Sequence, residues 1–265
     1  MTELLVDGIA VATYVTSPDV DIRLAPRPYL HPVRTLGGTV VTDEFPQDHP
    51  WHLGASVTMQ DVDGINIWGG RTYVRDEGYI WRDDHGRVVS DGRTPLPGGL
   101  SDGLRWCDAG GRTLLRERRS VTAGPAPHGW ELSFRYELSA PRESAVVIGS
   151  PATNGRTGGA GYGGFFWRAT AGEAVAFTPS GAEPHGSAEP WVALTVRDAY
   201  TLVFRGLAGD DRWFARTGDY NGVCVALAYD HTLTIEPGVP YTREIRVLVA
   251  DGVLTRDDIG ATGNP

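Results

Sequence analysis

The clearest periodic signal in the chain is Trp130, Leu132, Phe134, Tyr136 and Leu138 alternating with Glu131, Ser133, Arg135 and Glu137. A two-residue period puts the apolar set on one face of a β-strand and the polar set on the other, the pattern of a half-buried sheet. Ile245, Val247 and Val249 repeat it against Arg246 and Leu248. The runs at 144–149 (SAVVIG), 173–178 (EAVAFT), 191–196 (WVALTV), 201–205 (TLVFR) and 223–229 (VCVALAY) are more evenly apolar and read as strands covered on both faces. Between such segments stand Asp-Gly pairs at 7, 63, 91, 102 and 251, Asn-Gly pairs at 154 and 221, and several Gly-Gly pairs. These pairs accept the positive φ of tight hairpins. Only 254–259 has helical character, and it is short and polar. Some fifteen short strands joined by turns predict an all-β fold, a large antiparallel β-sandwich or a jelly roll. The 265 residues contain no linker-like stretch, so a single domain over 1–265 is expected.

Composition narrows the function classes. A hydrophobic content of 41% with eight tryptophans and ten tyrosines belongs to a folded chain. No apolar run approaches the roughly 18 residues of a membrane helix, so no membrane partner is expected. The opening MTELLVDGIA shows no basic region followed by an apolar stretch and no small-residue cleavage site, which makes a cytoplasmic location the expectation. A net charge of −9 argues against nucleic acid, whose binding draws on cationic patches, and in favour of a small-molecule partner. The mixed acidic surface fits a monomer or a homodimer. All 24 basic residues are arginine, which removes Schiff-base lysine chemistry, a pyridoxal phosphate anchor and a P-loop lysine. Cys107 and Cys224 lie far apart without a CxxC spacing, and Cys224 sits in an apolar run as a small buried hydrophobe would.

Several motif-like stretches resolve into turns. Gly159, Gly161 and Gly164 match GxGxxG, but the aromatic strand FFWRA follows where a dinucleotide fingerprint needs a helix. Asp61, Asp63 and Asn66 lack the glycine register and closing glutamate of a calcium loop. Glu183 with His185, and Asp230 with His231, are adjacent pairs in turns and read as surface features. Near the glycine loop, Tyr162, Trp167 and Arg168 are types that stack on and hydrogen-bond a sugar or an organic acid.

Chemistry concentrates in residues 27–54, which hold His31, His49 and His52 with Asp43, Glu44, Asp48, two arginines, Tyr29 and Trp51. His49 and His52 are three apart and flank Pro50, which disfavours a helix through the pair. In a regular strand they would point to opposite faces, so they share a site only across a turn or bulge. One use is a divalent metal, with His31 as a third nitrogen and Asp43, Glu44 or Asp48 as the carboxylate, although the spacing matches no specific ligand motif. The other makes His49 or His52 a general acid or base, with Arg34 or Arg71 holding an anionic or hydroxyl-rich substrate and Trp51, Trp68 and Tyr73 supplying stacking surface.

The blocks at 27–35 (RPYLHPVRT), 48–54 (DHPWHLG), 65–74 (INIWGGRTYV), 161–169 (GYGGFFWRA) and 211–230 (DRWFARTGDYNGVCVALAYD) resemble those of the bacterial PmoA-like family, often labelled methane oxygenase. The resemblance implies a setting in carbohydrate catabolism, and the label implies a metal-dependent oxygenase. The closing 236–252 (EPGVPYTREIRVLVADG) resembles the last strands of galactose-mutarotase-like sandwiches. That implies a supersandwich in preference to a jelly roll, with a sheet that binds sugars through histidine, arginine and carboxylate.

The expectation is therefore an enzyme acting on a sugar or sugar derivative by epimerisation, elimination or hydrolysis. His49, His52 and His31 are the catalytic candidates. Arg34, Trp51, Trp68, Arg71, Tyr73, Tyr162 and Arg168 are the substrate-binding ones, and His31, His49, His52 and Asp48 those for a divalent metal. A non-catalytic sugar-binding or regulatory sandwich is the alternative, and the oxygenase a third.

Overall fold

In the computed structural model, which describes residues 1–141 and 144–261, the predicted alternation becomes two large antiparallel sheets. The strand Gly129–Ser139 pairs with Thr113–Ala126 on one side and Tyr241–Asp251 on the other, and Trp130, Leu132, Phe134, Tyr136 and Leu138 are fully buried. The eight-stranded sheet runs in the order Ala174–Phe177, Trp191–Val196, Tyr200–Arg205, Tyr241–Asp251, Gly129–Ser139, Thr113–Ala126, Gly99–Asp108, Gly86–Leu96. The seven-stranded sheet runs Thr2–Val6, Ile9–Val15, Tyr29–Val33, Ala55–Thr58, Gly164–Arg168, Asn221–Ala226, Arg212–Thr217. A sandwich of this width exceeds the roughly eight strands of a jelly roll.

Aromatic side chains join the two sheets. Phe134 meets Phe165 at a centroid distance of 4.9 Å, and Trp167 meets Phe204 edge-on at 5.7 Å. On the far side of the eight-stranded sheet, Trp191, Val203, Leu248, Leu254 and Ile259 form a satellite core beneath the helix Arg256–Ala261. This covering explains why 191–196 is apolar on both faces. It also places Leu248 against the helix, although its position alternates with the core residues.

The sandwich interior contains a closed polar network. Arg119 donates to Glu117 through Nε (2.6 Å) and Nη2 (3.0 Å), and the Trp106 indole N–H donates to the same carboxylate at 2.8 Å. Arg119 also reaches the Pro28 carbonyl, at 3.2 Å, from the opposite sheet. The arginine and the glutamate are both solvent-free, so each charge depends on the other. Glu117→Leu should lower the free energy of unfolding in urea by about 3–5 kcal/mol, the cost of stranding a buried cation. Removing Glu137, which faces the exposed Arg118 at 3.7 Å, should cost less than about 1 kcal/mol. Equal losses in the two variants would contradict this account of the interior.

Candidate functional site

Strand alternation also creates a second apolar surface, on the face of the seven-stranded sheet turned away from its partner. Phe165, Trp167, Val223 and Val225 enter the sandwich core, while Phe166, Cys224 and Ala226 point the other way and join Phe214, Trp68, Ala160 and Tyr162. Burial pushes the Cys224 thiol up to about 12, as befits a buried small hydrophobe. Turns close over this surface and leave a cavity of about 550 Å³, within the range of about 300–1,000 Å³ usual for ligand sites.

One wall is an irregular hairpin over residues 43–54. It is closed by Gly54 N–H to Asp43 O at 3.0 Å and Phe45 N–H to His52 O at 3.1 Å. Inside it, His49 N–H bonds Pro46 O and His52 N–H bonds His49 O, so the backbone turns twice in succession. This is the turn that the three-residue spacing requires. It brings the two imidazoles into a parallel stack with centroids 4.7 Å apart. Gly54 has φ +43°, and a Cβ there would stand 2.1 Å from Leu30 O, so only glycine lets the hairpin return to the sheet.

Arg168, at the end of the strand Gly164–Arg168, fixes the hairpin from behind. Its Nη2 donates to both Asp48 oxygens at 3.0 Å, and its Nη1 donates to His52 Nδ1 at 3.1 Å. Because an arginine nitrogen can only donate, His52 Nδ1 accepts and its proton rests on Nε2. Burial first, then the charges of His49, Arg168 and Arg27, hold His52 well below the usual imidazole range. His49 is the complement: its Nδ1–H donates to Asp48 Oδ2 at 2.7 Å, so the neutral ring leaves Nε2 as a lone pair. Burial raises the Asp48 carboxyl, but the hydrogen bonds from His49 and Arg168 outweigh it and hold the group below its ordinary value. Tyr220 packs against both imidazoles, at 5.1 and 5.2 Å, and under the Arg168 guanidinium at 4.7 Å.

The facing wall is the segment 66–71. Asn66 Oδ1 accepts from Trp68 N–H and Gly69 N–H, both at 2.8 Å, and the His85 Nε2–H donates to Gly70 O at 2.6 Å. A Cβ on Gly70, at φ +71°, would lie 2.5 Å from the Trp51 ring, so the glycine lets that indole lie on the backbone. Trp51 in turn meets the half-exposed Trp81 edge-on at 6.4 Å. Beneath both walls the buried Arg27 donates to Trp51 O at 3.0 Å, Trp68 O at 3.3 Å and Ala25 O at 2.9 Å.

The far end is built around Tyr162. Gln60 Nε2 donates to its hydroxyl at 2.9 Å, and that hydroxyl meets the Tyr79 hydroxyl at 2.8 Å. Arg156 donates to the Tyr79 oxygen and lies over its ring at 4.8 Å. Phe214 packs on Tyr162 and carries the Arg216 guanidinium over its ring at 4.4 Å. His185 is a support for this end, contrary to its reading as a surface feature. Its Nδ1 accepts from Arg216 at 3.3 Å and its Nε2 faces the Tyr229 hydroxyl at 3.2 Å.

Of the residues singled out from the sequence, His49, His52, Asp48, Trp51, Trp68, Arg71 and Tyr162 line the cavity. Arg168 stands behind it, buried against Asp48 and His52, where it positions other groups and does not face a ligand. His31 lies elsewhere, with Nδ1 on Thr42 at 2.9 Å and Nε2 facing Glu44 at 3.4 Å. Arg34 is spent on Gly38 O and on a backbone bridge to Val40. Tyr73 opens onto a neighbouring groove, its ring edge-on to Tyr79. The metal set dissolves with His31: among the described residues no three His, Cys, Asp or Glu side chains stand close enough to share an ion. Asp48 and His52 Nδ1 are already taken by Arg168. The cavity also contains Gln60, Tyr79, Trp81, Arg156, Arg216 and Tyr220, which the sequence reading did not single out. Arg216 and Tyr220 border the Asn-Gly turn at 221, a mixture of charge and aromatic like that at 46–54.

Residues 1–262 match a family described as of unknown function, DUF6807. The chain belongs to DUF6807. This corrects the resemblance to PmoA-like proteins: the match that spans the chain is to a different family, and the oxygenase expectation loses the resemblance it rested on. No curated protein matches the chain. Among solved structures, the chain is similar to the GH36 alpha-galactosidase AgaA of Geobacillus stearothermophilus, at 10% identity and a TM-score of 0.36 over 71% of this chain and 31% of that one. It is also similar to the heparan sulfate lyase HepC of Pedobacter heparinus, at 9% identity and a TM-score of 0.40 over 91% of this chain and 32% of that one. The chain thus spans about a third of the length of each, and the fold description rests on the sheets themselves. No helix among the described residues is long and apolar enough to cross a membrane.

The depressed His52 gives this DUF6807 chain a pH signature. In the unfolded chain the imidazole titrates near about 6.5, while the folded one stays neutral to lower pH. Between those limits the unfolded state binds the extra proton, so stability rises with pH and falls as pH drops below about 6.5. His52 alone should contribute a slope of up to about 1.4 kcal/mol per pH unit. Urea unfolding from pH 7.5 to 5 should show that slope reduced in His52→Gln. His31 and His185, lowered mainly by burial, would supply what remains. An unchanged slope in the variant would contradict the assignment.

Proposed function

We propose that the cavity binds a carbohydrate or sugar derivative and transfers a proton at carbon, by epimerisation or elimination, with His49 Nε2 as the base. The observation that carries this reading is the Asp48–His49 hydrogen bond of 2.7 Å, anchored by Arg168 and opening onto an aromatic wall. A carboxylate on Nδ1 fixes the tautomer and orientation of the ring and stabilises the imidazolium formed when Nε2 takes a proton. Trp51, Trp81 and Tyr220 offer ring faces suited to the apolar face of a pyranose.

A proton donor stands at the other end. Tyr162 Oη accepts from Gln60 and Tyr79 Oη accepts from Arg156, so the bond between the two hydroxyls uses only one of their two protons. The other hydroxyl hydrogen is left for a ligand. Burial holds both phenols above their ordinary range, against the opposing hydrogen bonds at Tyr79, so both remain protonated donors. Hydrolysis fits less well, because it calls for two carboxylates flanking the bond to be broken. Asp48 and Asp219 are the carboxylates lining the cavity, and Asp48 is committed to Arg168 and His49.

The test is solvent exchange. With the protein in D₂O and a panel of aldoses, uronic acids and their oligomers, proton NMR should show loss of a C–H signal for the true substrate. His49→Gln should slow that loss by about 10²–10⁴-fold with binding retained. Binding without exchange or product in the native protein would make the cavity a sugar-recognition module. Absence of any carbohydrate binding by calorimetry would overturn the reading.

A further inference from the structure

The charges around the cavity are segregated in a way that the chain as a whole does not predict. With a net charge of −9, the protein nevertheless brings Arg71, Arg156 and Arg216 to one cavity. None of the three forms an ion pair among the described residues. Of the two carboxylates in the lining, Asp48 is neutralised from behind by Arg168, which leaves Asp219 alone against three guanidinium groups. Arg27, buried beneath the floor, bonds only carbonyls and the Ser56 hydroxyl and adds a further cation with no counter-charge.

The arginines are also held in place. Arg156 stacks on Tyr79 and Arg216 on Phe214, and both rings contact Tyr162, by hydroxyl and by edge respectively. The backbone of Arg71, an exposed residue that also lines the cavity, is tied to the same end, since its carbonyl accepts from the Gln60 amide that also bonds Tyr162. A guanidinium whose face is covered by a ring still presents its N–H edge, and holding it in one rotamer removes entropy that binding would otherwise cost. Planar cations presented in this way suit a carboxylate better than a neutral hydroxyl array.

We infer that the ligand carries a carboxylate, seated at the Tyr162 end among Arg71, Arg156 and Arg216: the substrate class is sugar acids such as uronates. The inference rests on the carbohydrate cleft proposed above and adds the anionic group. It places the acid at the Tyr162 end of the cavity and the ring toward the end lined by Trp51, His49 and Tyr220.

Calorimetry with matched probes tests it. D-Galacturonate and D-glucuronate are titrated against galactose and glucose, with acetate and succinate as carboxylates without a ring. The acids should bind at least about 10-fold more tightly than their neutral counterparts, with affinity falling as salt rises. Arg156→Gln and Arg216→Gln should each lower the acid's affinity by about 10-fold or more and lower that of the neutral sugar by less, with urea midpoints confirming that the variants fold. Equal binding of acid and neutral sugars overturns the carboxylate seat and leaves the sugar cleft standing. Acetate or succinate binding as tightly as the uronates overturns the sugar cleft and leaves a carboxylate site. Failure of every acid to bind overturns the seat outright.

Discussion

A guanidinium group does not give up its proton, so a buried arginine must be met by acceptors wherever the chain leaves it. Strand alternation sends Trp167 into the sandwich and therefore sends Arg168 to the opposite face of the seven-stranded sheet. The acceptors for its two terminal nitrogens come from the hairpin 43–54, both oxygens of Asp48 and the Nδ1 of His52, while its buried Nε has no partner among the described residues. The backbone of the same residue pairs with Gly54 O and Asp43 N–H, so one position sets both the base and the tip of the hairpin. Once Asp48 is fixed, His49 is oriented through it. Once His52 Nδ1 is an acceptor, its other nitrogen must be the donor. The tautomers of the two imidazoles thus follow from where a strand puts an arginine.

Arg27 governs the other side of the site by a related logic. It has no carboxylate partner, and burial followed by the charge of Arg119 pulls it down to about 9. Its donors are satisfied by the Trp51 and Trp68 carbonyls, which ties the aromatic wall to the cavity floor. The same charge disfavours protonation of His52. A cation under the floor therefore shapes the wall, adds to the burial that keeps His52 neutral and biases the space above it toward anions.

The parts of this structure that a sequence discloses are those with a period. The alternation at 130–138 and the apolar runs at 191–196 and 223–229 gave the strands, and the runs were apolar on both faces because each has two covers. For 223–225 these are the sandwich core and the cavity floor; for 191–196 they are the core and the terminal helix. The spacing of His49 and His52 even stated the condition, a turn, under which they would meet. Convergence was not legible. Tyr79, Arg156 and the Arg216–Tyr220 hairpin come from three segments far apart in the chain, and only the fold brings them together. His31 shows the reverse error: near in sequence, it is drawn by Thr42 and Glu44 to a different polar group. The family resemblance read from short blocks failed in the same way, since local similarity did not carry the identity of the whole chain.

The stacked imidazoles constrain the order in which protons can move. With centroids 4.7 Å apart and Arg168 bonded to one of them, a charge on His49 makes a second charge on His52 still less favourable. Asp48 can stabilise the first imidazolium because it bonds His49 directly, whereas His52 has Arg168 in the corresponding place. In the proposed reaction His49 is therefore the base, and His52 is left to donate a hydrogen bond from Nε2. In that proposed reaction a proton returned to the opposite side of a ligand must come from elsewhere, and the spare hydroxyl hydrogen of the Tyr79–Tyr162 pair is the donor assigned to it. An acceptor on one wall and a donor on the other is the arrangement that the proposed epimerisation or elimination requires, with the two walls exchanging roles when an epimerisation runs in reverse.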